Sequence, residues 1–138
     1  PGGDMSAAMN IIDAMESTPR GVATFASGEA ASSALMIFMA GAKGHRWISP
    51  TALLMSHHYS AGMEGSGKQL EAERKRMLHT DKIMRDLYAK YTGLSPKSIS
   101  KILKTESTWI SPQEAVKKYR MADNVGTEIL KEYLKCSQ

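Results

Sequence analysis

A single cysteine, Cys136, in a chain of 138 residues leaves no partner for an intramolecular disulfide, which points to a reducing compartment and a fold held by its core. An 18-residue apolar run is missing, so the sequence gives no candidate membrane-spanning helix. The opening Pro1-Gly2-Gly3-Asp4 has neither the basic nor the apolar region of a signal peptide. Internal repeats, low-complexity tracts and the biases of disordered or collagenous chains are absent as well. The expectation is a soluble protein of the cytoplasm.

What is there is an ordinary globular composition, 42% hydrophobic and 23% charged. The length fits one domain over 1–138, of a size that buries about 68% of its unfolded surface. The net charge of +4 raises the question of an anionic partner. Its distribution argues against one: Lys97, Lys101 and Lys104 recur at helical spacing, as solvated faces do, and Lys117, Lys118 and Arg120 form one short cluster. Neither nucleic acid nor a membrane is expected as a partner.

Along the chain, Met5, Ala8, Met9, Ile12 and Met15 keep helical spacing behind Asp4 or Ser6 as N-cap, until Thr18-Pro19-Arg20-Gly21 stops the helix. Val22–Ser27 reads as a strand, Gly28 as a turn, and the apolar stretch Ala30–Ala42 as a buried helix. Arg46–Ile48 and Ala52–His57 are two further strands on either side of Pro50. Strands alternating with helices predict an α/β architecture with parallel pairing.

A glycine-rich stretch, Gly62 to Gly67, precedes the longest predicted helix, Lys68–Tyr91, which Gly93 closes. Leu70, Met77, Met84 and Tyr91 recur every seven residues along it beside a highly charged run, Glu71 to Arg76. A seam that sparse suits docking on another helix or subunit, or packing as a surface helix on its own domain. Then come a short basic helix after Ser95-Pro96, a connector over Thr105–Trp109, a helix opening at Ser111-Pro112, and a last strand over Asn124–Leu130.

Acyl transfer by a serine needs an exposed hydroxyl on a tight turn, a histidine to take its proton, and backbone donors for the oxyanion. Ser32 stands at the start of the apolar helix, just after a strand and the Gly28 turn, where helix partial charge favours developing negative charge. His57 ends the Ala52–His57 strand and in a parallel sheet reaches the same edge. His58 competes for the role of base, while His45 and His79 have no metal-ligand spacing with it. Such a pair recurs at strand ends in many folds and does not by itself identify an enzyme.

Those residues sit within a longer pattern. Pro1-Gly2-Gly3, then Gly28-Glu29-Ala30-Ala31-Ser32, then Met55-Ser56-His57 occur in the order and at the separations of the proteolytic subunit of the Clp protease. Gly62, Glu71, Tyr91-Thr92-Gly93, Glu114-Ala115-Val116 and Ala122-Asp123 continue that register almost to the end, with insertions or deletions around 94–109 and 117–123. The chain resembles that family strongly. The family pattern starts upstream of Pro1, so the axial entrance and the earliest strands are expected to be unrepresented.

The resemblance implies Ser32 as nucleophile, His57 as general base, and the backbone N–H groups of Gly3 and Ser33 as oxyanion hole. It implies a crotonase-like fold of repeated β-β-α units whose handle helix, here 68–91, interlocks two seven-membered rings into a chamber. It implies a homo-oligomer fed with unfolded polypeptides by an AAA+ Clp unfoldase, with substrate strands lying along Gly62–Gly67. ATP is used by that partner, and no cofactor is expected in this chain. The family's triad aspartate lies two residues before an aromatic; anchoring on Trp109 and Glu114-Ala115 puts Ser107 there, with Glu106 the adjacent acid. The arginine that usually precedes the aspartate is also absent from 105–108. The third triad member is therefore Glu106, Ser107 or a backbone carbonyl, or the chain is a non-catalytic ring subunit.

Other readings fare less well. Gly62-Met63-Glu64-Gly65-Ser66-Gly67-Lys68 has phosphate-loop spacing, but Gln69 stands where a serine or threonine should hold magnesium. An α/β-hydrolase elbow lacks its Gly-x-Ser-x-Gly around Ser32. Crotonase-type acyl-CoA chemistry would use the same backbone donors without needing Ser32. The ten methionines suit core and interface filling rather than a cofactor site.

Overall fold

The computed structural model describes residues 1–59, 62, 64–104 and 106–135, with side chains to residue 131. Cys136, Thr105 and Met63 lie outside the described residues. The order is α1 (Met5–Glu16), β1 (Thr24–Ala26), β2 (Glu29–Ala31), α2 (Ser33–Met39), β3 (Arg46–Ile48), β4 (Leu53–Ser56), α3 (Gly67–Thr92), α4 (Pro96–Ile102), β5 (Thr108–Ile110), α5 (Pro112–Lys117), β6 (Asn124–Val125) and α6 (Glu128–Lys135). The fold is mixed α/β, with two three-stranded sheets ordered β1-β3-β6 and β2-β4-β5.

The first sheet is parallel throughout, and in the second β2 runs parallel to β4 while β5 runs antiparallel to it. The antiparallel β5 departs from the expected all-parallel pairing and occupies the stretch read as a connector. The helix expected from Ala30 begins at Ser33 instead. Alanine favours helix only weakly against tertiary pairing: Ala30 and Ala31 lie in register with Leu54 and Met55, and the Ser32 N–H still donates to the Met55 carbonyl at 2.8 Å. The helix ends at Met39, and Gly41 beyond it is obligatory, since a Cβ there would lie 2.2 Å from Thr24 Oγ1.

Asp4 caps α1, accepting from the Ala7 N–H at 2.8 Å, and Ala8 and Ile12 bury its inner face. Leu35, Met39, Ile48, Leu54, Ile110 and Met121 are fully buried and form the centre of the core. The long helix α3 starts at a capping box of Ser66 and Gln69 and stops at Gly93 in the left-handed conformation, φ 65°. Its 26 residues extend about 39 Å at 1.5 Å per residue. Only Met84, Tyr88 and Thr92 are buried, so the C-terminal part packs on the domain and the charged N-terminal part stands clear. The expected last strand shrinks to β6, because Gly126 at φ 151° turns the chain into α6.

Arg46 and Asp123 tie these parts together. Arg46 is buried and grips the carboxylate twice, Nη2 to Oδ1 at 2.6 Å and Nε to Oδ2 at 2.9 Å, while Nη1 donates to the Tyr91 carbonyl at 2.9 Å. Oδ2 also accepts from the Gly44 N–H at 2.7 Å. One ion pair thus joins β3, the approach to β6 and the end of α3.

Candidate active site

Ser32 occupies the single residue between β2 and α2, at φ 56° and ψ −123°. A serine in this region is strained by about 1–3 kcal/mol, and the position is held by backbone on both sides. Its N–H donates to Met55, and its carbonyl accepts from Leu35 and Met36 at 3.1 and 3.4 Å. The turn is as sharp as a hydrolase elbow without the glycines of that motif. The glycine that permits it is distant in sequence: a Cβ on Gly2 would lie 2.7 Å from Ser32 Cβ and 2.8 Å from the Ala31 carbonyl oxygen.

Parallel pairing of β2 with β4 carries Ser32 and His57 to the same sheet edge, and Ser32 Oγ lies 2.7 Å from His57 Nε2. A hydroxyl and an imidazole at that distance can pass a proton directly. Above them is a cavity of about 330 Å³ walled by Met5, Met36, Met84 and Tyr88, with Arg76 and Asp4 also lining it. Its lining mixes these apolar side chains with the polar groups of Ser6, Tyr59, Arg76 and Asp4 around Ser32 and His57.

The two expected oxyanion donors are not equally placed. Ser33 is the first residue of α2, where an N–H has no acceptor within the helix. The Gly3 N–H, in contrast, donates to Ser33 Oγ at 2.7 Å, and that buried hydroxyl donates in turn to the Gly3 carbonyl at 3.2 Å. The amide is engaged by a side chain on the far side of the turn from the cavity.

A family model described as Clp protease matches residues 1–128. The chain is 35% identical over 125 residues to the ATP-dependent Clp protease proteolytic subunit 3 of Streptomyces avermitilis, covering 91% of this chain and 56% of that protein. It is 35% identical over 127 residues to proteolytic subunit 1 of Corynebacterium jeikeium, covering 92% and 66%, and 36% identical over 125 residues to subunit 2 of Rhodococcus jostii, covering 91% and 63%. The chain belongs to the Clp protease family. It spans 56% to 66% of the length of these relatives.

The candidates for the third position are placed differently. Glu106 is exposed and lines a surface hollow with His58, Leu103 and Lys104, away from His57. Continuing the β4–β5 register, in which Ser56 faces Thr108, by one step brings Ser107 level with His57. Among the described residues none hydrogen-bonds to His57 Nδ1. His58 is turned away from Ser32: its Nδ1 is 2.8 Å from the Tyr59 carbonyl oxygen and its Nε2 2.9 Å from Asp81 Oδ1. Among the described residues no group of three or more histidine, cysteine and acidic side chains could hold a metal ion, and no helix is long and apolar enough to cross a membrane.

Sequence reasoning missed three features here: the strain at Ser32, the Ser33–Gly3 clasp, and a buried hydrogen bond of 2.8 Å between Ser56 Oγ and Tyr88 Oη. The last had a signal. Ser56 is a polar residue on the inward-facing alternation of a strand, two positions after Leu54.

Proposed function

We propose that this chain is a serine endopeptidase subunit in which Ser32 and His57 act as a dyad. The observation that carries this is the 2.7 Å contact between Ser32 Oγ and His57 Nε2, on a serine held at a strained turn beside a substrate-sized cavity. His57 Nε2 takes the Ser32 proton as Oγ bonds to the scissile carbonyl carbon. The oxyanion is met by the N–H groups of Ser33 and of Gly3, once Gly3 leaves the Ser33 hydroxyl. The intermediate collapses as His57 returns the proton to the leaving amine, and water, deprotonated by the same histidine, repeats the sequence to free Ser32.

Residues 1–138 are read as one crotonase-like peptidase domain, with 68–91 as the handle that interlocks two heptameric rings. The relatives are named as ATP-dependent, and an AAA+ Clp unfoldase that spends the ATP and feeds unfolded chains is the partner we assign, in the cytoplasm. Among the described residues no carboxylate reaches Nδ1 to fix the histidine tautomer; in the general triad template that loss costs about 10⁴ in rate, roughly 5 kcal/mol of barrier. The lack of a partner for Nδ1 among the described residues and the serine at 107 favour one second reading, a non-catalytic ring subunit.

Treating the full-length protein with a fluorophosphonate probe separates the two. Ser32 modification located by peptide mass spectrometry, and lost in both Ser32→Ala and His57→Ala, is the expected result. An assembled ring that stays unlabelled would show a subunit that shapes the chamber without cutting.

A further inference from the structure

The segment that carries His57 meets α3 on both sides of the histidine, by a hydrogen bond at Ser56 and by a close charged contact at His58. Ser56 and Tyr88 are both buried, and their hydroxyls hydrogen-bond at 2.8 Å. His58 places Nε2 2.9 Å from Asp81 Oδ1. Asp81 and Tyr88 are seven positions apart and so share a helix face, with Met84 between them lining the cavity over Ser32. In an extended segment residues 56 and 58 point to one side and 57 to the other. Two ties to the helix therefore leave His57 free to meet Ser32.

Stability alone does not account for these ties. An alanine facing a phenylalanine would fill the Ser56–Tyr88 space with no hydroxyls to satisfy. Asp81 Oδ1 is buried, close to His58 but not aligned with it, and has no hydrogen-bond partner among the described residues, an arrangement that costs energy rather than supplying it. Among the described residues no carboxylate reaches His57 Nδ1, so the orientation of the imidazole falls to the backbone that carries it. We propose that Ser56–Tyr88 and His58–Asp81 form a positioning bracket that sets His57 against Ser32. The proposal rests on the peptidase reading.

The test uses the full-length protein with Tyr88→Phe, Ser56→Ala, Asp81→Asn and the double variant Ser56→Ala/Tyr88→Phe, with Ile99→Val as a buried-core control. Misplacing a reacting group by a fraction of an ångström is expected to lower kcat and the rate of Ser32 fluorophosphonate labelling together by about 10-fold at unchanged KM. Ile99→Val is expected to lose melting temperature without losing rate. The double variant should regain melting temperature but stay slow. Asp81→Asn, at the more exposed end of the bracket, serves if a buried variant does not fold. Full rates for the folded fraction of Tyr88→Phe and Asp81→Asn, or a double variant that recovers rate with stability, would overturn the bracket. If the wild type neither labels nor hydrolyses, the peptidase reading falls separately. The bracket is then read from the His57 imidazole resonances: shifts in Tyr88→Phe and Asp81→Asn support it, and unchanged resonances refute it.

Discussion

One step beyond the β4–β5 pairing, a serine at 107 supplies no charge to a histidine that the proposed acyl transfer would make cationic. The β4–β5 register ends at Ser56 and Thr108, and its extension by one step sets Ser107 level with His57, so Ser107→Asp offers a carboxylate on that side of the imidazole. We expect kcat on an unstructured peptide to rise about 100-fold, within the roughly 10⁴ that such an acid contributes in the general template. No rise, with the ring assembled, would mean that the strand carries position 107 out of reach. The Ser33 hydroxyl presents the reverse case, since it holds the Gly3 N–H at 2.7 Å. One oxyanion donor is worth about 10²–10³ in kcat, and Ser33→Ala frees this one, so labelling of Ser32 should quicken by about 10-fold at most. Slower labelling would show that the clasp positions the Gly2–Gly3 segment instead of blocking it. Ser32 and His57 were legible as a pair through the resemblance of Gly28–Ser32 and Met55–His57 to the family pattern, since a serine after a turn and a histidine at a strand end say little alone. The contacts of the Ser33 hydroxyl, Tyr88 and Asp81 were not, because their partners lie 30, 32 and 23 positions away in the chain.

Among the elements, α3 was legible almost to the residue, expected over 68–91 and found as Gly67–Thr92, because its signals are local: a capping box, a seven-residue seam and a closing glycine. The short elements were not. Ala30-Ala31 has helical composition yet forms β2 by pairing with β4, and β5 is three residues long and defined by its partner. The outer half of α3 leaves apolar surface uncovered: Leu78 is 57% exposed and Met77 only partly covered. Burying a methionine contributes about 1.5–3 kcal/mol, so Met77→Glu should weaken helix pairing between subunits by about 10- to 100-fold. Light scattering against concentration tests this, with circular dichroism expected to match the wild type. Unchanged assembly would place the subunit contact elsewhere.

At the scale of the whole molecule, the Arg46–Asp123 pair is the contact whose loss should matter most, because it joins three segments far apart in sequence. Burial pushes the Asp123 carboxyl up, but hydrogen bonds from the Arg46 side chain and amide, its charge and the Gly44 amide outweigh this and leave it below its ordinary value. The folded chain therefore gives up that proton more readily than the unfolded chain. The pair contributes its full stability above the unfolded value of about 3.9 and loses it as acid protonates Asp123 in the native state. Asp123→Asn leaves the Arg46 guanidinium buried without its counter-charge, which costs about 3–5 kcal/mol. That corresponds to a fall of roughly 10–20 °C in melting temperature at neutral pH for a domain of this size. Because the variant lacks the titrating group, the gap to the wild type should narrow as pH falls below about 4. Melting curves from pH 7 to pH 3 measure both effects, and a gap that stayed constant with pH would mean that shape rather than charge makes Asp123 matter.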